Sequence, residues 1–261
     1  MVKINAFPIL RRFEKTELDD IDHSLFRNRC DTKFIVPPEL LEPVFKRLSD
    51  SYRVLKIGDR FIQDYKSLYF DNEKFKFYLD HQNGKLNRYK VRVRSYLDTE
   101  HHFLEVKFKN NKRRTKKWRK EIDRTDYFPA DLTDRDERFV DDLLKDKPGR
   151  LQPLFTVSYS RLALVHKKER ERVTIDLDLS FQKGEMKKEF ADLVIAEIKR
   201  ERYSSYSEFF DVMHELHVRP MRFSKYCFGI YQFFPFLKYN RFKPRYLFMA
   251  NKIGEEKNAG I

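Results

Sequence analysis

Arg88, Lys90, Arg92 and Arg94 alternate with Tyr89, Val91 and Val93 in one short run of the chain. Successive side chains of a β-strand point to opposite faces, so this spacing lines up four cations on one face and an apolar row on the other. A row of this kind binds anions or faces water. The pattern recurs. Glu105, Lys107 and Lys109 oppose Leu104, Val106 and Phe108, and Glu197, Lys199 and Glu201 oppose Ala196, Ile198 and Arg200. Near the start, Arg29, Asp31, Lys33 and Ile35 oppose Cys30, Thr32, Phe34 and Val36, and further on Tyr159, Arg161 and Ala163 oppose Ser160, Leu162 and Leu164. The run from Arg172 to Phe181 reads as an unbroken period-two strand, with Asp176 and Asp178 sharing its polar face.

Strands with one ionic face suit either a sheet wetted on that face or a sheet curled so that the ionic faces line a lumen, which also removes exposed edges. Helices are available to cover the outside. Pro37 to Leu48 is proline-started, with Leu40, Leu41, Val44, Phe45 and Leu48 at helical spacing. Similar stripes predict helices over Asp134–Leu144 and Ser205–Leu216, and an aromatic-rich helix over Phe223–Leu237. The basic run Arg113–Lys120 reads as a flexible hairpin apart from Lys117 and Arg119. Periodicity alone leaves the choice between water and lumen open.

The 261 residues hold 55 Lys+Arg against 41 Asp+Glu, a formal charge of +14, which favours anionic partners. No linker divides the chain, so we expect a single domain over residues 1–250 and a flexible tail over 251–261. Cys30 and Cys227 lack metal spacing and point to a reducing, cytoplasmic setting. The N-terminus has no signal-peptide pattern, and Phe228–Leu237 is far shorter than the roughly twenty residues of a membrane helix. Glycine-rich phosphate loops are absent, with seven glycines in all, so any phosphate must be held by side chains. His101-His102 would point to opposite faces and makes a poor zinc site. No motif supports covalent acyl chemistry.

Arg29-x-Asp31-x-Lys33, Arg92-x-Arg94-x-Tyr96, Phe103-Leu-Glu105-Val-Lys107, Lys117-x-Arg119, Tyr159-x-Arg161, Arg172-Val-Thr-Ile-Asp176, Glu197-Ile-Lys199 and Phe223-Ser224-Lys225-Tyr226 follow one another along the chain. This order resembles the VTC domain, the polyphosphate-polymerase branch of the CYTH, or triphosphate tunnel metalloenzyme, superfamily. The resemblance implies an α+β fold: a closed antiparallel eight-stranded β-barrel with helices packed outside. It also implies triphosphate-binding side chains at Lys33, Arg92, Arg94, Lys107, Lys117, Arg119, Arg161, Arg172, Ser224 and Lys225. Of these, Lys225, Arg92 and Arg94 are its expected catalytic residues, and Glu197 and Glu105 its expected ligands for Mn²⁺ or Mg²⁺. Asp31 stands where the family usually carries the longer Glu.

The activity implied by the resemblance is transfer of the γ-phosphoryl of ATP to a growing polyphosphate chain with release of ADP. Other tunnel enzymes suggest hydrolysis of tripolyphosphate or of a nucleoside triphosphate, and a non-catalytic polyphosphate- or nucleotide-binding module is a third reading. Nucleic-acid binding suits the charge, but the aromatics sit mainly on apolar faces and offer no evident stacking platform, so no specific nucleic acid is expected. A membrane-bound partner, with peripheral localisation through it, is compatible with the resemblance, though no residue specifies one.

Overall fold

The computed structural model describes residues 8–20, 29–112, 114–123, 131–201 and 206–252. Its strands are β1 (Glu14–Thr16), β2 (Arg29–Val36), β3 (Tyr52–Leu55), β4 (Ile62–Asn72), β5 (Arg88–Tyr96), β6 (His101–Lys109), β7 (Thr115–Glu121), β8 (Leu151–His166), β9 (Glu171–Lys183), β10 (Met186–Phe190) and β11 (Val194–Glu201). The helices are α1 (Leu41–Leu48), α2 (Lys76–Gln82), α3 (Asp134–Asp141), α4 (Glu208–Glu215), α5 (Lys225–Phe233) and α6 (Lys243–Lys252).

Eight strands form a continuous antiparallel path in the order β2-β11-β9-β8-β4-β5-β6-β7, with β10 beside β9 and β3 beside β8. No ladder joins β7 back to β2 among the described residues, so the expected hydrogen-bonded closure is not seen there. The sheet nevertheless curls far enough for Asp31 on β2 to act electrostatically on Lys109 of β6, and Lys33 on Lys90 of β5. The product is a curled half-barrel with its ionic faces inward and helices outside.

Two hydrophobic cores hold this shape. Phe34, Val36, Leu162, Leu164, Val173, Ile175, Ala196 and Ile198 point outward and pack under α1 and α4. Burial of a side chain such as Phe45 or Leu48 of α1 in this layer contributes roughly 1.5–3 kcal/mol. The second core covers the outer faces of β4, β5 and β6 and continues around α5.

The strand from Arg172 to Phe181 departs from its expected alternation. The β8–β9 register shifts between Ser158 and Ser160, and Asp178 sits there with φ 49°. This bulge adds one residue and reverses the faces beyond it. Leu177 therefore lies in the core under α1 and α4, whereas Leu179 and Phe181 turn to the core around α5. Asp176 and Asp178 consequently do not share a regular strand face.

The basic run is also more ordered than expected: 115–121 is strand β7, with Trp118 packed on the core, while Arg113 lies outside the described residues. Ser205 is likewise outside them, and helix α4 takes Ser207 as its N-cap. The expected tail begins inside α6 and lies outside the described residues from 253 onward. No helix among the described residues is long and apolar enough to cross a membrane.

Candidate functional site

Cross-strand partners share a face, so the register identifies the lumen wall directly. Lys33 on β2 pairs with Glu197 on β11, which pairs with Thr174 on β9. Asp176 pairs with Arg161 on β8. Arg92 on β5 pairs with Glu105 on β6, which pairs with Arg119 on β7, and Lys107 stands between Lys90 and Lys117. Alternation in the sequence is thereby converted into a shared concave surface.

Three carboxylates anchor its charge. Glu105 is fully buried; its Oε2 accepts from Nε and Nη2 of Arg92 at 2.8 and 2.6 Å, and Lys117 Nζ lies 2.5 Å from Oε1. Burial would raise the Glu105 pKa, but Arg92, then Arg94, Lys107 and Lys117, hold it well below the carboxylate range. Asp176 takes a two-pronged bond from Arg161 at 2.5 and 2.8 Å and a bond from Lys225. Burial again opposes ionisation there, and Arg161 and Lys225 overcome it. Glu197 lies 2.8 Å from Lys33 and 3.2 Å from Lys199, and these amines likewise outweigh the effect of burial.

The cations are less evenly served. Arg94 donates to the Tyr159 hydroxyl at 2.9 Å, and its buried Nε has no hydrogen-bond partner. Lys107 makes no salt bridge among the described residues; Arg92 first, and burial second, push its pKa well below the lysine range. Burial lowers Lys199 and Lys225 to about 8, against the pull of Glu197 and Asp176 respectively. Two like charges about 4 Å apart repel by roughly 4 kcal/mol at an effective dielectric of 20. Cations converging this way without counterions of their own favour a polyanion in the lumen.

Helix α5 closes the apolar end of the lumen. Ser224 caps it, accepting from Cys227 N at 3.2 Å and from Lys90 Nζ at 2.8 Å. Gly229 lets the helix seat against β8, because a Cβ there would meet the Phe155 ring at 2.1 Å. Tyr226 fixes the seating through its hydroxyl, which donates to Asp71 at 2.5 Å. The same Asp71 accepts from the backbone of Phe77 and Tyr78 and, with Asn72 accepting from Lys76 N at 2.9 Å, starts α2, whose N-cap residue Phe75 offers no side-chain cap.

Most of the expected residues therefore meet: Lys33, Arg92, Arg94, Lys107, Lys117, Arg161, Lys225, Glu105 and Glu197 share the lumen. Arg172 lies on the same face, paired with Lys199. Ser224 serves the helix cap. Arg119 has its guanidinium 4.9 Å over the Phe103 ring. Lys90, supported in the sequence by spacing alone, is inside, whereas Arg88 bonds the Lys85 carbonyl. Asp176 as the anchor of Lys225, Lys199 as a lumen amine, and the floor rings Tyr65, Tyr69 and Tyr159 were not singled out from sequence. The Tyr159-x-Arg161 spacing carried a signal for the last of these.

No group of three or more metal-ligating side chains occurs among the described residues. Mg²⁺ and Mn²⁺ sites built on substrate phosphates need only one or two carboxylates. Glu197, ionised and facing the lumen, fits such a site. Glu105, enclosed by Arg92 and Lys117, is placed as an ion-pair partner.

A curled antiparallel sheet with an inner wall rich in cations and a helix closing one end defines a tunnel-like fold whose concave face suits a polyanion. The VTC domain model matches residues 28–234, and the chain belongs to that family. A crystal structure of a candidate adenylate cyclase from Bacillus halodurans is similar at 13% identity and a TM-score of 0.48, over 79% of this chain and 99% of that one. A Hippeastrum protein, described as a candidate adenylyl cyclase with a dominant triphosphatase activity, is similar at 14% identity and a TM-score of 0.45, over 76% and 93%. No curated protein matches the chain significantly.

Proposed function

We propose that this chain is a metal-dependent polyphosphate polymerase that transfers the γ-phosphoryl of ATP to the end of a growing polyphosphate chain and releases ADP. The observation that carries the reading is the pairing of surplus lumen cations with carboxylates that are all engaged in ion pairs. Asp176, Glu105 and Glu197 are held well below the ordinary carboxylate range by their cationic partners, which makes them weak bases. Hydrolysis needs a base to activate water, whereas a terminal phosphate oxygen is already charged and needs none. The wall supports transfer between phosphates better than transfer to water.

In this reading Arg94, Lys107 and Arg92 hold the triphosphate through charge-assisted bonds, the guanidinium forks fixing its orientation. Lys225 sits at the end of α5, 4.2 Å over the Tyr159 ring, and meets the transferring phosphoryl group once phosphate replaces Asp176 as its counter-charge. Phosphoryl transfer asks mainly for positioning and for charge on the leaving diphosphate to be offset, and this arrangement supplies both. Glu197 would hold Mg²⁺ or Mn²⁺, which offsets phosphate charge when bound. Incubation with γ-labelled ATP and either metal, followed by a chain-length gel, tests the proposal. A labelled ladder with matching ADP is expected; orthophosphate as the sole labelled product overturns it in favour of a triphosphatase.

A further inference from the structure

Three consecutive residues at the start of α5 are tied to three different strands. Ser224 accepts from Lys90 Nζ on β5 at 2.8 Å, Lys225 donates to Asp176 on β9, and the Tyr226 hydroxyl donates to Asp71 near the end of β4 at 2.5 Å. The first two ties involve lumen amines, which an incoming phosphate chain attracts away from their present partners. The third is of another kind. Tyr226 and Asp71 are both fully buried, and burial first, then Asp71, pushes the Tyr226 phenol well above its ordinary value, so it stays a donor. Asp71 also accepts from the backbone of Asn72, Phe77 and Tyr78, which fixes it to the start of α2 independently of α5.

We propose that Tyr226, braced by Asp71, is a positioning residue for Lys225: it holds the first turn of α5 in place while Lys225 exchanges Asp176 for phosphate. The proposal rests on the reading of the lumen as a triphosphate site. When a phosphate chain draws Lys90 and Lys225, the ties through Ser224 and Asp176 loosen together, whereas no anion competes for the Tyr226 hydroxyl. The Tyr226 ring packs against Tyr69 and Phe155 with centroids 5.4 and 6.4 Å away. Such apolar contacts are non-directional, so the hydroxyl supplies the orientation of the turn. Lys225 adjoins Tyr226 in the chain, and a slip of the turn moves the root of the lysine side chain with it. A misplacement of about 1 Å costs a reacting group up to about a hundredfold.

Tripolyphosphate binding with Mg²⁺ should be measured calorimetrically on the wild-type chain, Tyr226→Phe, Lys225→Ala and the double variant. Tyr226→Phe should weaken binding about tenfold where Lys225 is present and cause no further loss in the Lys225→Ala background, because the hydroxyl acts through that lysine. Asp71 keeps its three backbone donors in Tyr226→Phe, so the start of α2 survives the change. Equal affinity of the double variant and Lys225→Ala also shows that the chain lacking the hydroxyl is folded. A merely structural role lowers affinity equally in both backgrounds, and that result, or no loss in either, overturns the positioning role while the lumen reading stands. Failure of the wild type to bind tripolyphosphate overturns the lumen reading and the positioning role together.

Discussion

On the wall formed by β2, β11, β9 and β8, Lys33 and Lys199 share Glu197, while Arg161 and Lys225 share Asp176. On the wall formed by β5, β6 and β7, Arg92 and Lys117 share Glu105, but Arg94 and Lys107 make no ion pair among the described residues. On the first wall each of these four cations has a carboxylate partner, though two share each one, and the pairs can keep their geometry without ligand. The second carries an excess that only an incoming anion can offset. Under the proposed function, β5–β7 would be the affinity-giving side and the Asp176–Lys225 side the one that positions groups.

The largest expected effect comes from breaking the one closed unit of the second wall. Arg92→Ala leaves Glu105 fully buried with Lys117 alone, and removal of one partner from a buried pair costs about 3–5 kcal/mol. Chemical denaturation should show a loss of that size. A loss near zero would mean that Glu105 takes up a proton at little cost, and that the wall's charge balance is not what holds it.

Arg94→Ala should act on binding instead. It removes a cation without orphaning a carboxylate, so tripolyphosphate affinity should fall about a hundredfold, at about 1.4 kcal/mol per tenfold, with no loss of unliganded stability. Lys33→Ala, on the wall whose cations are paired, should cost about tenfold. Equal losses in the two variants would erase the contrast between the walls.

A smaller effect concerns pH. Lys199 and Lys225 have folded values of about 8, below that of an ordinary lysine. Between pH 8 and 10 the unfolded chain therefore holds more protons than the folded one, so unliganded stability rises with pH across that window, by about 2 kcal/mol for each lysine. Below about pH 7 both states are protonated and this contribution is flat. Bound phosphate favours the charged amines, so tripolyphosphate affinity should fall as pH rises from 8 to 10. Urea titrations and calorimetry over that range check the two opposite slopes, and parallel slopes would contradict the placement of these amines against the ligand.

Legibility of the molecule varied with how local the cause was. The alternation of Arg92, Arg94, Glu105, Lys107 and Glu197 marks ionic faces because side-chain direction along a strand is a backbone property. The stripe of α1 and the serine caps of α4 and α5 are equally local. The sequence shows less of β4, whose residues are mostly buried and so lack the polar-apolar alternation of a half-wetted strand. It shows nothing of α2, whose first amides are satisfied by Asn72 and Asp71, or of the bulge at Asp178 that sends Leu179 and Phe181 to a different core.

By itself, then, the sequence determined which side chains lie on ionic faces, the surplus of cations, and membership of the VTC-domain family. Only the tertiary structure decided which cation meets which carboxylate, because those pairings join strands far apart in the chain and depend on how far the sheet curls. That curling leaves Arg94 and Lys107 without ion-pair partners among the described residues and couples Lys225 to Asp176.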